Sequence, residues 1–314
     1  LLPTIDVVVP VYGNWDITRD CLEHLRRQTL EHTVIVVDDA GPDDTVARLH
    51  ADYPEVTVIA LPKNGGFAAA CNSGIRRGTG EIVVLVNNDV QADPTMLEYL
   101  AAPFATNSTL GSAAPLLFAP NGTIDAVGLC ADPTLAGFLR YHGATLDDLE
   151  HDTFPLLGPY GAVAAYRRSA LDDVGLLDEG IYMYGEELDL ALRLSAGGWA
   201  TTAALDSRGV HLGGATSGRG SSRQRQRAGF GRGYILSAYG IFRGRQAFRA
   251  AVTEIIVCGG DLVLSRDLAS TIGRIAGLRA GFKATKRPSV VPGIDADLKF
   301  MTSLRLRVGD YKSR

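Results

Sequence analysis

The stretch Glu81-Ile-Val-Val-Leu-Val-Asn-Asn-Asp-Val90 decides the fold. Its Val83-Val-Leu-Val86 core is an uninterrupted apolar run, as a parallel strand covered on both faces requires. The run stops at three polar side chains, Asn87, Asn88 and Asp89. In an open α/β sheet, ligands gather beyond the carboxyl ends of the strands. A carboxylate there, behind two carboxamides, is placed to meet a metal and the phosphates it carries. The competing reading is a plain turn before a helix, with Asp93 at the N-cap and Pro94 in the first helical position.

Working outward, Ile5–Val11 reads as a first, central strand. Asp16 is the expected cap of a helix whose apolar side is Ile17, Cys21, Leu22 and Leu25. Strands are expected over 33–37 and 56–60, and helices over 44–52 and 68–75. This alternation with short loops predicts a mostly parallel sheet wound with helices on both faces. The turn after the first strand, Pro10-Val-Tyr-Gly-Asn-Trp15, lacks the GxGxxG glycines of a dinucleotide site, and the chain has no GxxxxGK[ST] phosphate loop. It offers instead Asp38-Asp39 after the second strand and Lys63-Asn-Gly-Gly66 after the third. Asp38 can accept a hydrogen bond from a base or ribose. Gly65 and Gly66 would let the backbone approach a ligand and present N–H groups to an anion. Cap and turn chemistry is the competing account of both features.

With 314 residues, 46% of them hydrophobic, the chain can bury a sizeable core. A net charge of −4 argues against a general nucleic-acid binder. The cysteines at 21, 71, 130 and 258 show no metal-ligand spacing and read as reduced thiols. Leu1-Leu2-Pro3 leads straight into a strand, with no signal peptide expected, and no apolar run approaches the roughly 18 residues of a membrane span.

In the order Val9-Pro-Val-Tyr-Gly-Asn14, Val36-Val-Asp-Asp-Ala40, Asn64-Gly-Gly-Phe-Ala-Ala-Ala-Cys-Asn72 and Leu85-Val-Asn-Asn-Asp89, the chain resembles the GT-A glycosyltransferases of family 2. It is most similar to the branch of bacterial rhamnosyltransferases and galactofuranosyltransferases. The likeness continues through Gly161-Ala-Val-Ala-Ala-Tyr-Arg-Arg168, Met183-Tyr-Gly-Glu-Glu-Leu-Asp-Leu-Ala-Leu-Arg193, Gly197-Gly-Trp199 and His211-Leu-Gly-Gly214. The resemblance implies a GT-A nucleotide-sugar-binding and catalytic domain over 1–217, followed by a helical C-terminal region with a polar tail over 218–314. It implies a metal-dependent, inverting transfer of sugar from a UDP- or dTDP-linked donor to a saccharide or polyprenyl-linked acceptor in cell-envelope polysaccharide synthesis. Pro10 and Tyr12 would border the base and Asp38 would recognise it. Lys63, Asn64, Gly66, Phe67, Asn72, Asn88 and Asp89 would line the nucleotide-sugar pocket, and Gly161, Asp189 and Trp199 would face the acceptor. Asp89 and His211 would hold Mn²⁺ or Mg²⁺. Where the family's metal triplet begins with Asp, this chain has Asn87.

Three carboxylates, Glu186, Glu187 and Asp189, open a helix near the middle of the chain. The helix dipole alone favours acids there. Yet an inverting transfer needs a carboxylate to take the acceptor's proton opposite the leaving group, and by the resemblance Glu187 is the base, with Glu186 second. A lone histidine such as His211 is more often structural; it is expected to follow a strand over 200–205, with a donor-closing loop over 216–220. Leu110–Phe118 reads as a strand, residues 121–158 as irregular hairpins, and 154–166 as an apolar segment across the sheet end.

From Arg219 to Arg249 arginines recur among Phe230, Tyr234, Tyr239 and Phe242, and apolar spacing continues through Ile255, Leu262, Leu268, Ile272 and Ile275 to Phe282. That pattern reads as a helical appendage packed on the catalytic domain, or as a basic aromatic surface facing anionic lipid. Residues 283–314 read as a loosely held end. The expected location is the cytoplasm, with peripheral contact at the inner face of the plasma membrane. The composition leaves room for an oligomer. The alternatives kept are a sugar-phosphate nucleotidyltransferase and a non-catalytic nucleotide-sugar-binding protein.

Overall fold

The computed structural model describes residues 2–151, 155–213, 221–288 and 290–307. Strands β1 (Ile5–Val11), β2 (Thr33–Asp38), β3 (Thr57–Ala60) and β4 (Ile82–Val86) alternate with helices α1 (Trp15–Arg26), α2 (Thr45–Asp52) and α3 (Phe67–Arg77). They pair in parallel in the order β3-β2-β1-β4. The strand alternation explains why the apolar runs are continuous. Val7, Val9, Val84 and Val86 point to one face, with α1 and with α4 (Met96–Thr106). Val8, Val83 and Leu85 point to the other, with α3, α5 (Arg168–Val174) and α6 (Glu186–Ala196). Each such buried valine or leucine contributes roughly 1.5–3 kcal/mol of transfer free energy.

Beyond β4 the sheet departs from the mostly parallel arrangement predicted. The chain leaves β6 (Leu110–Phe118) at its carboxyl end. It passes through β7 (Ile124–Ala126), a small hairpin of β8 (Leu129–Ala131) and β9 (Gly137–Leu139), and a 3₁₀ turn (Leu146–His151). It then re-enters from that same end as β10 (Val163–Arg167). β10 must therefore run backwards, and it sits antiparallel between β4 and β6, inside the sheet and not across its end. β11 (Ala200–His211) lies parallel to β6, and a three-residue strand, β5 (Val90–Ala92), closes the edge antiparallel to β11. The sheet is mixed. Asp93 and Pro94 do not start α4: the helix begins at Met96 after an Asn87–Ala92 excursion that forms β5.

The C-terminal helices are α7 (Ser222–Ala238), α8 (Ala247–Ser265), α9 (Ala269–Lys283) and α10 (Phe300–Arg307). α7 and α9 meet backbone to backbone. A Cβ built on Gly273, Gly277 or Gly281 would lie 2.0–2.3 Å from the carbonyl oxygens of Gln226, Phe230 and Tyr234, and one on Gly233 would lie 2.1 Å from that of Arg274. The predicted apolar stripe is therefore not what packs: Ile255, Leu262, Leu268, Ile272, Ile275 and Phe282 are all exposed. The expected loose end also makes fixed contacts among its described residues. Leu298 and Leu306 enter a core cluster, Ser303 Oγ donates to Asp132 at 2.6 Å, and Arg287 Nε donates to Asp189 at 2.8 Å.

Two substitutions separate these situations. Gly277→Ala forces the helices apart and lowers unfolding free energy by about 2 kcal/mol. Gly259→Ala sits mid-helix with nothing within 4 Å of its new methyl, and raises stability by about 0.5–1 kcal/mol through lost unfolded-state entropy. Urea unfolding monitored by circular dichroism checks both.

Candidate active site

A cleft of about 550 Å³ opens at the carboxyl ends of β1 and β4. β1 brings Pro10, Val11 and Tyr12, and the β4–β5 turn brings Asn87, Asn88 and Asp89. β11 delivers His211 from within the strand, not after it, and β7 delivers Asp125. The tip of α6 lines the same cleft with Glu186 and Glu187, as do Phe67, Tyr160 and Gly161.

On one wall, backbone pairing sets the geometry. His211 pairs with Val90 across β11–β5, and Leu212 N–H donates to the Asp89 carbonyl at 2.9 Å. His211 Nε2 consequently lies 3.4 Å from Asp89 Oδ1, while Nδ1 lies 2.7 Å from Asp125 Oδ2. The Tyr160 ring meets the imidazole edge-on at 5.9 Å. Burial by itself would depress the imidazolium. The hydrogen bonds to Asp125 and Asp89 outweigh it and lift His211 to about 9. Burial likewise opposes ionisation of Asp125, but hydrogen bonds from His142 and His211 hold it well below the usual carboxylate range. Asn88 Nδ2 donates to Thr18 Oγ1 at 2.9 Å, tying the turn to α1.

The α6 side of the cleft is acidic and poorly solvated. Gly185, at φ 115°, takes the left-handed turn that ends the loop and starts α6. Its N–H donates to Glu187 Oε2 at 3.1 Å, while Glu186 Oε2 has no hydrogen-bond partner among the described residues. Burial, then the neighbouring Glu187 charge, pushes Glu186 well above the usual range, and burial raises Glu187 as well. Such a pair tends to share a proton, which is how a carboxylate becomes a usable base near neutrality.

Several sequence-predicted residues lie elsewhere. Asp38 does not line the cleft: its carboxylate accepts the Gly41 N–H at 3.1 Å. Asp39 reaches the cavity instead and accepts the Gly65 and Gly66 N–H groups at 2.6 and 2.9 Å. Those N–H groups, expected to await an anion, are held by a protein carboxylate. Gly66 (φ 87°) admits no side chain, since a Cβ would meet the Tyr182 carbonyl at 2.4 Å. Lys63 is exposed, and Asn64 Oδ1 accepts a hydrogen bond from the Tyr182 hydroxyl. Asn72 is a buried brace, its side chain bonded to Leu177 and Glu179. Asp189 does not face an acceptor: it is fully buried between Arg193 and Arg287, each at 2.8 Å, with the Tyr239 hydroxyl at 3.0 Å. Trp199 precedes β11 at the end of the sheet away from the cleft, where its indole N–H donates to Asp173. The loop predicted over 216–220 and Gly214 lie outside the described residues. Asp125 was missed because 121–158 has weak periodicity and no motif marks it; of the Asp38-Asp39 pair the ligand role was given to Asp38, and Tyr160 was not singled out.

Residues 6–175, more than half of the chain, match the family model described as Glycosyl transferase family 2. The chain belongs to this family. This family 2 chain is 30% identical over 185 residues to the uncharacterized glycosyltransferase YwdF of Bacillus subtilis (strain 168), which is 57% of this chain and 64% of that protein. It is 23% identical over 227 residues to the O-antigen biosynthesis protein RfbC of Myxococcus xanthus, 67% of this chain but 17% of that one. It thus spans less than two thirds of either relative. Among solved structures it shares its fold with GalNAc-T7 bound to UDP, GalNAc and Mn²⁺, at TM-score 0.58 and 15% identity over 76% of this chain and 50% of that one. A second is the mannosyltransferase PcManGT from Pyrobaculum calidifontis with GDP-Man and Mn²⁺, at TM-score 0.54 and 19% identity over 90% and 86%.

Burial of Glu186 has a measurable cost. A carboxyl whose folded pKa lies above its unfolded one holds more protons folded than unfolded between the two values, so its penalty grows as pH rises through that window. Glu186→Gln therefore stabilises the protein by on the order of 1 kcal/mol at neutral pH and progressively less toward acid. Melting temperatures of the two proteins compared at about pH 5 and about pH 8 test this.

Proposed function

We propose that this protein is a GT-A, metal-dependent, inverting glycosyltransferase that moves a sugar from a nucleoside-diphosphate donor to a saccharide hydroxyl. One observation carries the reading: a single cleft is lined by both the Asp89–His211 pair and the Glu186–Glu187 pair. Pro10 and Tyr12 offer the donor's base a site at the end of β1, Phe67 and Asn88 flank the sugar and diphosphate, and Gly161, beside the Glu187 side chain, leaves room for an acceptor.

The donor set fits a divalent cation. Among the described residues no group of three or more histidine, cysteine, aspartate or glutamate side chains could hold a metal by itself, so Asp89 and His211 would share it with donor oxygens and water. Asp125 anchors the far ring nitrogen, an arrangement common behind metal-binding histidines. Mixed O/N ligation suits Mn²⁺ or Mg²⁺. The described lining holds Asp39, Asp89, Asp125, Glu186 and Glu187 but neither lysine nor arginine. A bound cation would give a diphosphate entering this lining a countercharge and offset the charge that grows on the leaving group.

The transfer uses both pairs. Glu187 takes the proton of the acceptor hydroxyl, whose oxygen bonds to the anomeric carbon. The bond from that carbon to the phosphate oxygen breaks, and its electron pair leaves with the nucleoside diphosphate. Approach from the side opposite the departing phosphate inverts the centre. Burial and the neighbouring Glu187 charge raise Glu186 well above the usual carboxylate range, and burial keeps Glu187 basic. The likeness to an O-antigen biosynthesis protein supports an acceptor in envelope polysaccharide synthesis, and the resemblance in motif order supports the rhamnosyltransferase and galactofuranosyltransferase branch.

Nucleotide-sugar turnover, assayed with UDP- and dTDP-sugars and with Mn²⁺, Mg²⁺ or chelator, tests the reading. Glu187→Gln is expected to lower kcat by roughly 100-fold or more while donor binding persists. Asp89→Asn and His211→Ala are expected to weaken Mn²⁺-dependent donor binding, measured by calorimetry, roughly 10- to 100-fold. Unchanged acceptor glycosylation by Glu187→Gln would remove the base from this scheme.

A further inference from the structure

We propose that the outward face of α8 docks the protein on an anionic lipid surface. This inference stands apart from the catalytic reading, because it uses no residue of the cleft. Phe248, Val252, Ile255, Ile256, Gly259, Leu262 and Val263 fall on one side of the helix at spacings of three and four. Phe248, Ile255 and Val263 are 82, 72 and 75% exposed, far more than scattered surface apolar residues require. The opposite side carries Ala250 and Thr253, which are buried. The helix is amphipathic in reverse: its apolar face looks outward.

Charge decides the occupant. Arg245 and Arg266 are exposed at the two ends of the face, and Arg279, Lys283 and Lys286 are exposed on and just beyond α9. Arg243, just before α8, stacks over Phe282 at the end of α9, 5.5 Å from its centroid, so both helices contribute to this side. The acids of these helices are engaged by other arginines. Glu254 pairs with Arg232 and Arg274 at 2.8 and 2.7 Å, Asp261 pairs with Arg225 at 3.6 Å, and Asp267 pairs with Arg225 and accepts from Ser222. An apolar stripe with a basic rim and no exposed acid on it matches a helix lying in the headgroup plane of an anionic bilayer. A second copy fits worse: a two-fold pairing sets each patch against itself, and this rim has no acid to answer its own arginines. Among the described residues no helix is long and apolar enough to cross a membrane; the proposed contact is made by the outward face of α8.

Co-sedimentation of the full chain with phosphatidylcholine vesicles, alone or containing phosphatidylglycerol at about one third, tests the proposal. Binding to the anionic vesicles is expected, roughly 10-fold weaker to the neutral ones and weakened again at about 0.5 M salt. The paired variants Ile255→Asp with Val263→Asp, and Arg245→Glu with Arg266→Glu, should each lose binding by roughly 10-fold or more while keeping the wild-type melting temperature, since all four positions are exposed. Absence of binding to anionic vesicles, or binding that both variants retain, overturns the proposal. So does a dimer in light scattering that the aspartate pair converts to monomer without any vesicle binding, which would assign the face to a second copy.

Discussion

Three residue pairs, Gly209 with Ala92, Val210 with Gln91 and His211 with Val90, hold the cleft together. This antiparallel contact between β5 and β11 joins residues more than a hundred positions apart and fixes Asp89 beside His211. The two side chains need no attraction of their own to meet, because the backbone ladder sets their separation. The sheet behind them is buried on both faces, so register is not free to slip: a shift of one residue would turn His211 out of the cleft and its apolar neighbours into it. Asp125 then fixes the ring's orientation from β7, a strand paired to β6. Site geometry is in this sense a consequence of sheet geometry.

The electrostatics of the cleft are one-sided. Five carboxylates line the cleft beside two histidines, and His142 and His211 both bond to Asp125. Desolvation dominates the shifts of Glu186, Glu187 and Asp39. An array that raises its own acids this way is costly to the fold, and such a cost is commonly concentrated where chemistry requires it. The asymmetry between walls also divides labour. Asp125 is kept ionised by its histidines, whereas Glu186 and Glu187 are kept proton-hungry by burial.

Much of this was legible in the sequence, and the failures have physical causes. Continuous apolar runs identified β1, β2 and β4 because helices cover both sheet faces; the polar end of β4 pointed to Asn88 and Asp89, and the family resemblance to Pro10 and Tyr12, all of which line the cleft. β5 was missed because three residues carry no periodicity, and β11 was ended six residues early because the exposed Leu205-Asp206 stretch marks a register irregularity within a strand that continues. Direction in a sheet is not written in a strand's composition, so β10, apolar on both faces like a parallel strand, gave no sign of running backwards. Asp189 and Trp199 sit within motif-like stretches whose side chains alternate between cleft and core. Proximity in sequence to Glu187 says nothing about which way Asp189 points, two residues further round the helix.

The C-terminal helices show the same limit from the other side. Apolar spacing in α8 and α9 suggested a stripe turned toward the catalytic domain, which is what such spacing means when side chains do the packing. Here glycines do it. Gly273, Gly277 and Gly281 recur every four residues and bring the α9 backbone against α7 so closely that no larger residue fits between them. A helix has one side facing its neighbour, and once glycines occupy it the leucines and isoleucines are left to point away. The exposed face of α9 is therefore a requirement of close helix packing, and the neighbouring α8 extends it with aromatic and β-branched residues that no internal contact explains.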